Sequence, residues 1–107
     1  MSVELNRDNY EVEAAQARGV VLVDFWGPQC KPCLALTPAV EKIEEDLGER
    51  LKVGKVDATK NRMLCARLRV MSLPTFIVYK DGAEKTRLTG EELKASEIRE
   101  AVEKALV

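Results

Sequence analysis

Two cysteines three residues apart, Cys30 and Cys33, lie in the run Trp26-Gly27-Pro28-Gln29-Cys30-Lys31-Pro32-Cys33 and are the residues of this chain best suited to chemistry. A Cys-x-x-Cys pair can cycle between dithiol and disulfide, hold part of a metal site, or form a structural bridge. The other residues narrow that choice. With three cysteines and no histidine, the chain can build no Ser-His or Cys-His nucleophile pair, no His-ligated metal and no Cys-x-x-Cys-His haem attachment. A structural zinc site takes four ligands, and Cys65, the remaining cysteine, leaves a three-cysteine set one carboxylate short. An odd, small cysteine count does not make a disulfide framework. Redox exchange is therefore the expected chemistry, with no metal and no bound cofactor. Cys65, between Leu64 and Leu68, reads as a small packing residue, with a redox or dimerising role as the alternative.

Such a pair works only if the chain positions it. Val20 to Trp26 is a nearly continuous apolar run rich in β-branched residues, the pattern of a central strand buried on both faces. From Pro32 to Leu47, Leu36, Val40, Ile43 and Leu47 recur at helical spacing, and Gly48 follows as a stop. Pro38 inside this helix predicts a kink over Leu34 to Pro38. The cysteines thus fall where a buried strand hands over to a helix. There the positive end of the helix dipole and unpaired amide N–H groups favour a thiolate at Cys30.

The remaining pattern predicts a short helix over Asp8 to Arg18, capped by Asp8 and stopped by Gly19. A second strand follows over Leu51 to Val56, and a short helix over Asn61 to Leu68. Phe76 to Tyr79 and Glu84 to Leu88 read as strands around an Asp81-Gly82 turn, and Ser96 as the N-cap of a last helix carrying Ile98, Ala101, Val102, Ala105 and Leu106. Strands separated by helices pair in parallel, whereas the tight late turn makes an antiparallel hairpin. The expected fold is α/β, a central mixed sheet with helices on both faces, in one domain over residues 1–107.

The segment Val23-Asp24-Phe25-Trp26, the pair Cys30-Lys31-Pro32-Cys33, Pro38, Lys55, Leu73-Pro74-Thr75 and Gly90 together resemble the thioredoxin family in order and spacing over essentially the whole chain. The resemblance implies the thioredoxin fold and a protein-disulfide reductase. Cys30 would attack a substrate disulfide, and Cys33 would then resolve the mixed disulfide. It implies Asp24 as the proton acceptor for Cys33, since burial of a lone acid raises its pKa toward neutrality. An acid hydrogen-bonded at a strand end is the alternative. Lys55 would lie beside Asp24 and tune it; otherwise it is a surface lysine on a strand edge. Pro74 falls where the family holds a cis peptide facing the cysteines, leaving the backbone at Leu73 free to pair with an extended substrate; a trans proline before an edge strand is the alternative. With Leu73, Pro74 and Thr75, the resemblance places Trp26, Lys31, Pro32 and Gly90 on the substrate side, Trp26 also packing under the active-site loop. The implied partners are disulfide-containing proteins and a thioredoxin-reductase-type electron donor.

The flanks of the site depart from the family. Thioredoxins usually carry tryptophan before the first cysteine, glycine after it and lysine after the second, where this chain has Gln29, Lys31 and Leu34. Gln29 removes an apolar docking surface, and Leu34 restores some. Lys31 adds a positive charge between the sulfurs, which favours the reduced form and predicts a reduction potential tens of millivolts above a typical thioredoxin. That shift keeps an oxidase or isomerase role open beside the reductase, and a binding module without turnover is the other alternative.

Seventeen basic and eighteen acidic residues give a formal net charge of −1, so no overall field gathers nucleic acid or an anionic membrane. The run Val20 to Trp26 is far short of the roughly 20 apolar residues of a membrane span. Met1 to Asn9 holds acids and amides in place of a basic stretch and an apolar core, so no secretory leader is expected. A cytoplasmic monomer, binding neither nucleic acid nor membrane, is the resulting expectation.

Overall fold

A computed structural model describes residues 2–107; Met1, where the expected domain and the segment read for a leader begin, lies outside them. Among the described residues five strands form one sheet: β1 (Val3–Glu4), β2 (Val20–Trp26), β3 (Leu51–Asp57), β4 (Thr75–Lys80) and β5 (Ala83–Thr89). Their order is β1-β3-β2-β4-β5, with β1, β3 and β2 parallel and β4 and β5 antiparallel to their neighbours. Three α-helices, α1 (Lys31–Leu47), α2 (Arg62–Leu68) and α3 (Ala95–Leu106), cover it.

The β2 run is central, as its composition demands: Val21, Leu22, Val23 and Phe25 are fully buried. Successive side chains alternate between faces. Val21, Val23 and Phe25 pack with Tyr10, Leu64, Cys65 and Ile77 on the α2 side. Val20 and Leu22 pack with Leu36, Val40 and Ile43 of α1 and Ile98 and Val102 of α3 on the other. Helices on both faces of a mixed sheet are thus the direct outcome of a strand with no polar face.

Several local expectations change. β1 was not anticipated; it carries one apolar residue, and its pairing comes from β3, where Leu5 N–H donates to the Lys55 carbonyl at 2.7 Å. Gly54 in mid-β3 is what admits it, because the Leu5 side chain fills the space a Cβ there would take. The expected helix over Asp8 to Arg18 contracts to one wide helical turn, Glu11–Ala15, closed by a Gln16 N–H to Glu11 carbonyl bond of 2.7 Å. Asp8 does not cap it, and the turn has no side-chain cap; Asn6 instead closes the turn before it, its Oδ1 accepting the N–H groups of Asp8 and Asn9 at 2.8 and 3.1 Å while Asn9 Oδ1 accepts the Asn6 N–H. Nor is Ser96 the N-cap of α3. The helix begins at Ala95 and its N-cap lies two residues before Ser96, at Lys94, which is extended and has its N–H held by the Glu97 carboxylate at 2.8 Å. Helix α1 runs unbroken through Pro38 to Leu47. The Asp81-Gly82 turn has positive φ at both residues, the twist a two-residue hairpin requires.

Candidate active site

Strand β2 ends at Trp26, and four residues later the backbone enters α1, with Cys30 extended at the N-cap and Lys31, Pro32 and Cys33 forming the first turn. An N-cap side chain ordinarily accepts the N–H of the third helical residue. Here the acceptor is sulfur: the Cys33 N–H donates to Cys30 Sγ at 3.2 Å. Pro32 costs the helix nothing at this point, because its missing N–H belongs to a turn whose donors have no intrahelical acceptor. The two cysteines are disulfide-bonded with Cα atoms 5.3 Å apart. They differ in access, since Cys30 is half-buried and Cys33 is 2% exposed. A molecule arriving from solvent meets Cys30, while Cys33 faces the core with Leu36 one turn further on.

Asp24, two residues before the C-terminal end of β2, is 3% exposed. Alternation puts it on the same face as Val20 and Leu22, the face covered by α1, the helix whose first turn carries Cys33. Its register partners are Lys55 on β3 and Phe76 on β4. Lys55 Nζ stands 4.0 Å from Asp24 Oδ2, at the outer edge of an ion pair, and is itself only part-exposed in an interior strand. Burial pushes the Asp24 carboxyl up to about 6, against the downward pull of Lys55. Desolvation therefore wins over a counter-charge at this distance.

The Leu73–Pro74 peptide is cis. Its loop is tied on both sides. The Pro74 carbonyl accepts Gly90 N–H at 3.2 Å and Thr89 Oγ1 at 3.1 Å, and Thr75 Oγ1 donates to the Ser72 carbonyl at 2.6 Å. Thr89 Oγ1 also meets Ser72 Oγ at 2.9 Å and Thr75 Oγ1 at 3.0 Å. Gly90 has φ of +122°, a conformation that suits glycine alone. Leu73 reaches the cysteine loop: a methyl group on Gly27 would stand 3.3 Å from Leu73 Cδ1 and 3.6 Å from Thr59 Cγ2. Thr59 is in turn clamped to the end of β3, its N–H and hydroxyl both donating to Asp57 Oδ1.

Among the residues singled out beforehand, Cys30, Lys31, Pro32 and Cys33 share one helix start. Asp24 and Lys55 form a pair on neighbouring strands, Leu73, Pro74, Thr75 and Gly90 form one tied loop, and half-buried Trp26 ends β2 with its carbonyl accepting the Ala58 N–H. Thr89, Ser72, Gly27 and Thr59 were missed. A glycine in the Trp26-Gly27-Pro28 run was a visible signal, but the three hydroxyls carry none, because their roles arise from contacts across the fold. Among the described residues no three His, Cys, Asp or Glu side chains converge as metal ligands, and no helix is long and apolar enough to cross a membrane.

The family model for thioredoxin matches residues 1–104. The chain is 42% identical over 101 residues to a thioredoxin of Acetoanaerobium sticklandii, covering 94% of this chain and 96% of that one. It is 36% identical over 101 residues to a thioredoxin of Mycolicibacterium smegmatis, with 92% and 90% covered. A thioredoxin of Bacillus subtilis is 42% identical over 69 residues, 64% of this chain and 66% of that protein.

Proposed function

Because the chain belongs to the thioredoxin family and is a thiol–disulfide oxidoreductase, we propose that it reduces protein disulfides through Cys30 as nucleophile and Cys33 as resolving thiol. The observation that carries this assignment is the unequal access of the two bonded sulfurs, Cys30 at the rim and Cys33 in the core. In the reduced protein the Cys30 thiolate attacks one sulfur of the substrate disulfide. A mixed disulfide forms and the first substrate thiolate leaves. Asp24, held near neutrality by burial, takes the Cys33 proton. The Cys33 thiolate then attacks Cys30 Sγ, the Cys30–Cys33 bond forms, and the second substrate thiolate departs. Two electrons pass to the substrate, and a separate reductase returns them to the pair.

Lys55 is a positioning residue in this scheme, limiting how far the Asp24 pKa rises. Leu73, Pro74 and Thr75, with Gly90 behind them, form the backbone edge for an extended substrate segment, and Trp26, Lys31 and Pro32 border it. The protein acts as a cytoplasmic electron carrier, a monomer in one domain with no cofactor beyond the cysteine pair, on neither nucleic acid nor membrane. Insulin reduction by dithiothreitol is the test. Turnover that Cys30→Ser abolishes supports the assignment; a variant that retains turnover, or a native protein that binds insulin without turnover, refutes it.

A further inference from the structure

A net charge near zero conceals a strong local asymmetry. After Asp57 the next acid is Asp81, and the stretch that carries α2 holds Lys60, Arg62, Arg67 and Arg69, all exposed. Elsewhere among the described residues several cations lie beside acids, Lys42 on Asp46, Lys52 on Glu13, Arg87 on Glu84 and Arg99 on Asp46. Among the described residues none of the four α2 cations has an ion-pair partner or a side-chain hydrogen bond. Asp8 lines a hollow together with Lys60 and Arg62 and is accompanied there by Arg7, and Glu84 is engaged by Arg87, whose guanidinium also donates to the Leu68 and Arg69 carbonyls.

The same surface carries apolar groups that packing does not use. Met63 is 75% exposed and Met71 86%. A shallow hollow runs between Ala58, Ala66, Val70, Met71 and Leu73 with Arg62 on its rim. Leu73 connects it to the active site, since it precedes the cis proline and touches the Gly27 turn. Methionine is an adaptable apolar contact. Across the Pro74 loop the sign changes: Gly90, bonded to the Pro74 carbonyl, is followed by exposed Glu91 and Glu92, and Leu93 packs on the opposite face of the sheet from Leu73.

From this juxtaposition we infer that the α2 surface selects protein disulfides flanked by acidic residues. Carboxylates of the partner meet Lys60, Arg62, Arg67 and Arg69, while an apolar side chain beside its disulfide enters the hollow next to Leu73. This inference rests on the reading of Cys30 and Cys33 as the exchanging pair. Protein is favoured over nucleic acid because no aromatic residue stands between Ala58 and Thr75 to stack a base, and because acids border the other side of the loop. Complementary charge of this kind acts mainly on encounter rate and orientation and fades with salt.

The test uses three peptides with the same internal disulfide, flanked by Asp and Glu, by Asn and Gln, or by Lys, each mixed with the reduced protein in stopped flow. At an ionic strength of about 20 mM the acidic peptide should be reduced about tenfold faster than the basic one, and the ratio should fall to within about twofold at about 0.5 M. The triple variant Lys60→Glu, Arg62→Glu, Arg67→Glu should invert the order, and Lys60→Gln, Arg62→Gln, Arg67→Gln should erase it, both checked as folded by their unfolding midpoints. Equal rates for the three peptides, or a preference that charge reversal leaves in place, overturns the inference. Retention of a DNA oligonucleotide by the native surface with no peptide preference overturns it in favour of nucleic acid. Failure to reduce even the neutral peptide overturns the oxidoreductase assignment instead, so the two failures are distinct.

Discussion

Replacing Asp24 by Asn should stabilise the protein, and by an amount that depends on pH in one direction only. The carboxyl titrates at about 6 in the folded chain and at 3.8 when freely hydrated. Below 3.8 it is protonated in both states and adds nothing. Between 3.8 and 6 the folded state holds a proton that the unfolded state has lost, so stability falls as pH rises through this window. Above 6 the charge is buried in full. At about 1.4 kcal/mol per pKa unit, the loss amounts to roughly 3 kcal/mol. That is a large share of the total of about 5–15 kcal/mol expected for a domain of this kind. Lys55 does not alter the sign, because its attraction is already included and, being part-exposed, it can turn to water in the variant. The assay is urea unfolding of the oxidised native and Asp24→Asn proteins from pH 3.5 to 8. Using the oxidised form keeps Cys30 and Cys33 from titrating. Their difference should be pH-independent at the acid end, grow by about 3 kcal/mol between pH 4 and 7, and then level off. A difference that stays flat across the range, or that grows toward low pH, would refute a buried carboxyl with a raised pKa.

In Cys33→Ser, half-buried Cys30 can form mixed disulfides but the core thiol proposed to resolve them is gone, so adducts should accumulate on Cys30 and be visible by mass spectrometry; their absence removes Cys30 as nucleophile. Lys31→Gly removes an exposed positive charge from the chain between the two cysteines and should lower the reduction potential by about 10–30 mV. A glutathione redox titration showing no change or a rise would exclude that role. Thr89→Val deletes the hydroxyl shared by the Pro74 carbonyl, Ser72 and Thr75. It should cost about 0.5–1.5 kcal/mol of stability and slow reduction of a protein disulfide more than that of a small one, whereas equal slowing of both would mean the loop does not position substrate.

How far the molecule could be read in advance depended on where the information lies. β2 and α1 were legible because their apolar patterns are long and their burial is set by their own residues, and the cysteines sit at the joint between them. β1 was not, because two residues have no periodicity and are ordered by Lys55 and Gly54, about fifty positions away. The wide turn at Glu11–Ala15 is likewise decided by what it packs on: Tyr10 and Ala14 are buried, and the Tyr10 and Tyr79 hydroxyls are hydrogen-bonded at 2.9 Å. Ser96 is a good capping residue in isolation, yet Glu97 reaches Lys94 N–H and starts α3 earlier. Thr89 and Ser72 acquire meaning only when β4 and β5 are brought together around Pro74.

Asp24 marks the difference between what the fold requires and what the chemistry requires. Its neighbours on the same face of the sheet, Leu22, Phe76 and Val53, are fully buried, and an apolar residue in its place would satisfy β2 without a desolvated charge. The N-cap of α1 tells the same story, since Ser, Thr, Asp or Asn at position 30 would accept the Cys33 N–H better than a weak sulfur acceptor does. Two positions a few residues apart in sequence thus both hold the less stable choice, one a buried acid and the other a sulfur cap. A helix start and a core strand gain nothing from either substitution. A disulfide exchange site gains from both under the proposed scheme, in which the sulfur at the helix N-terminus attacks and the raised carboxyl accepts the proton of its partner. The coincidence of these two local costs at one end of β2 is the physical argument that this end of the sheet is built for catalysis.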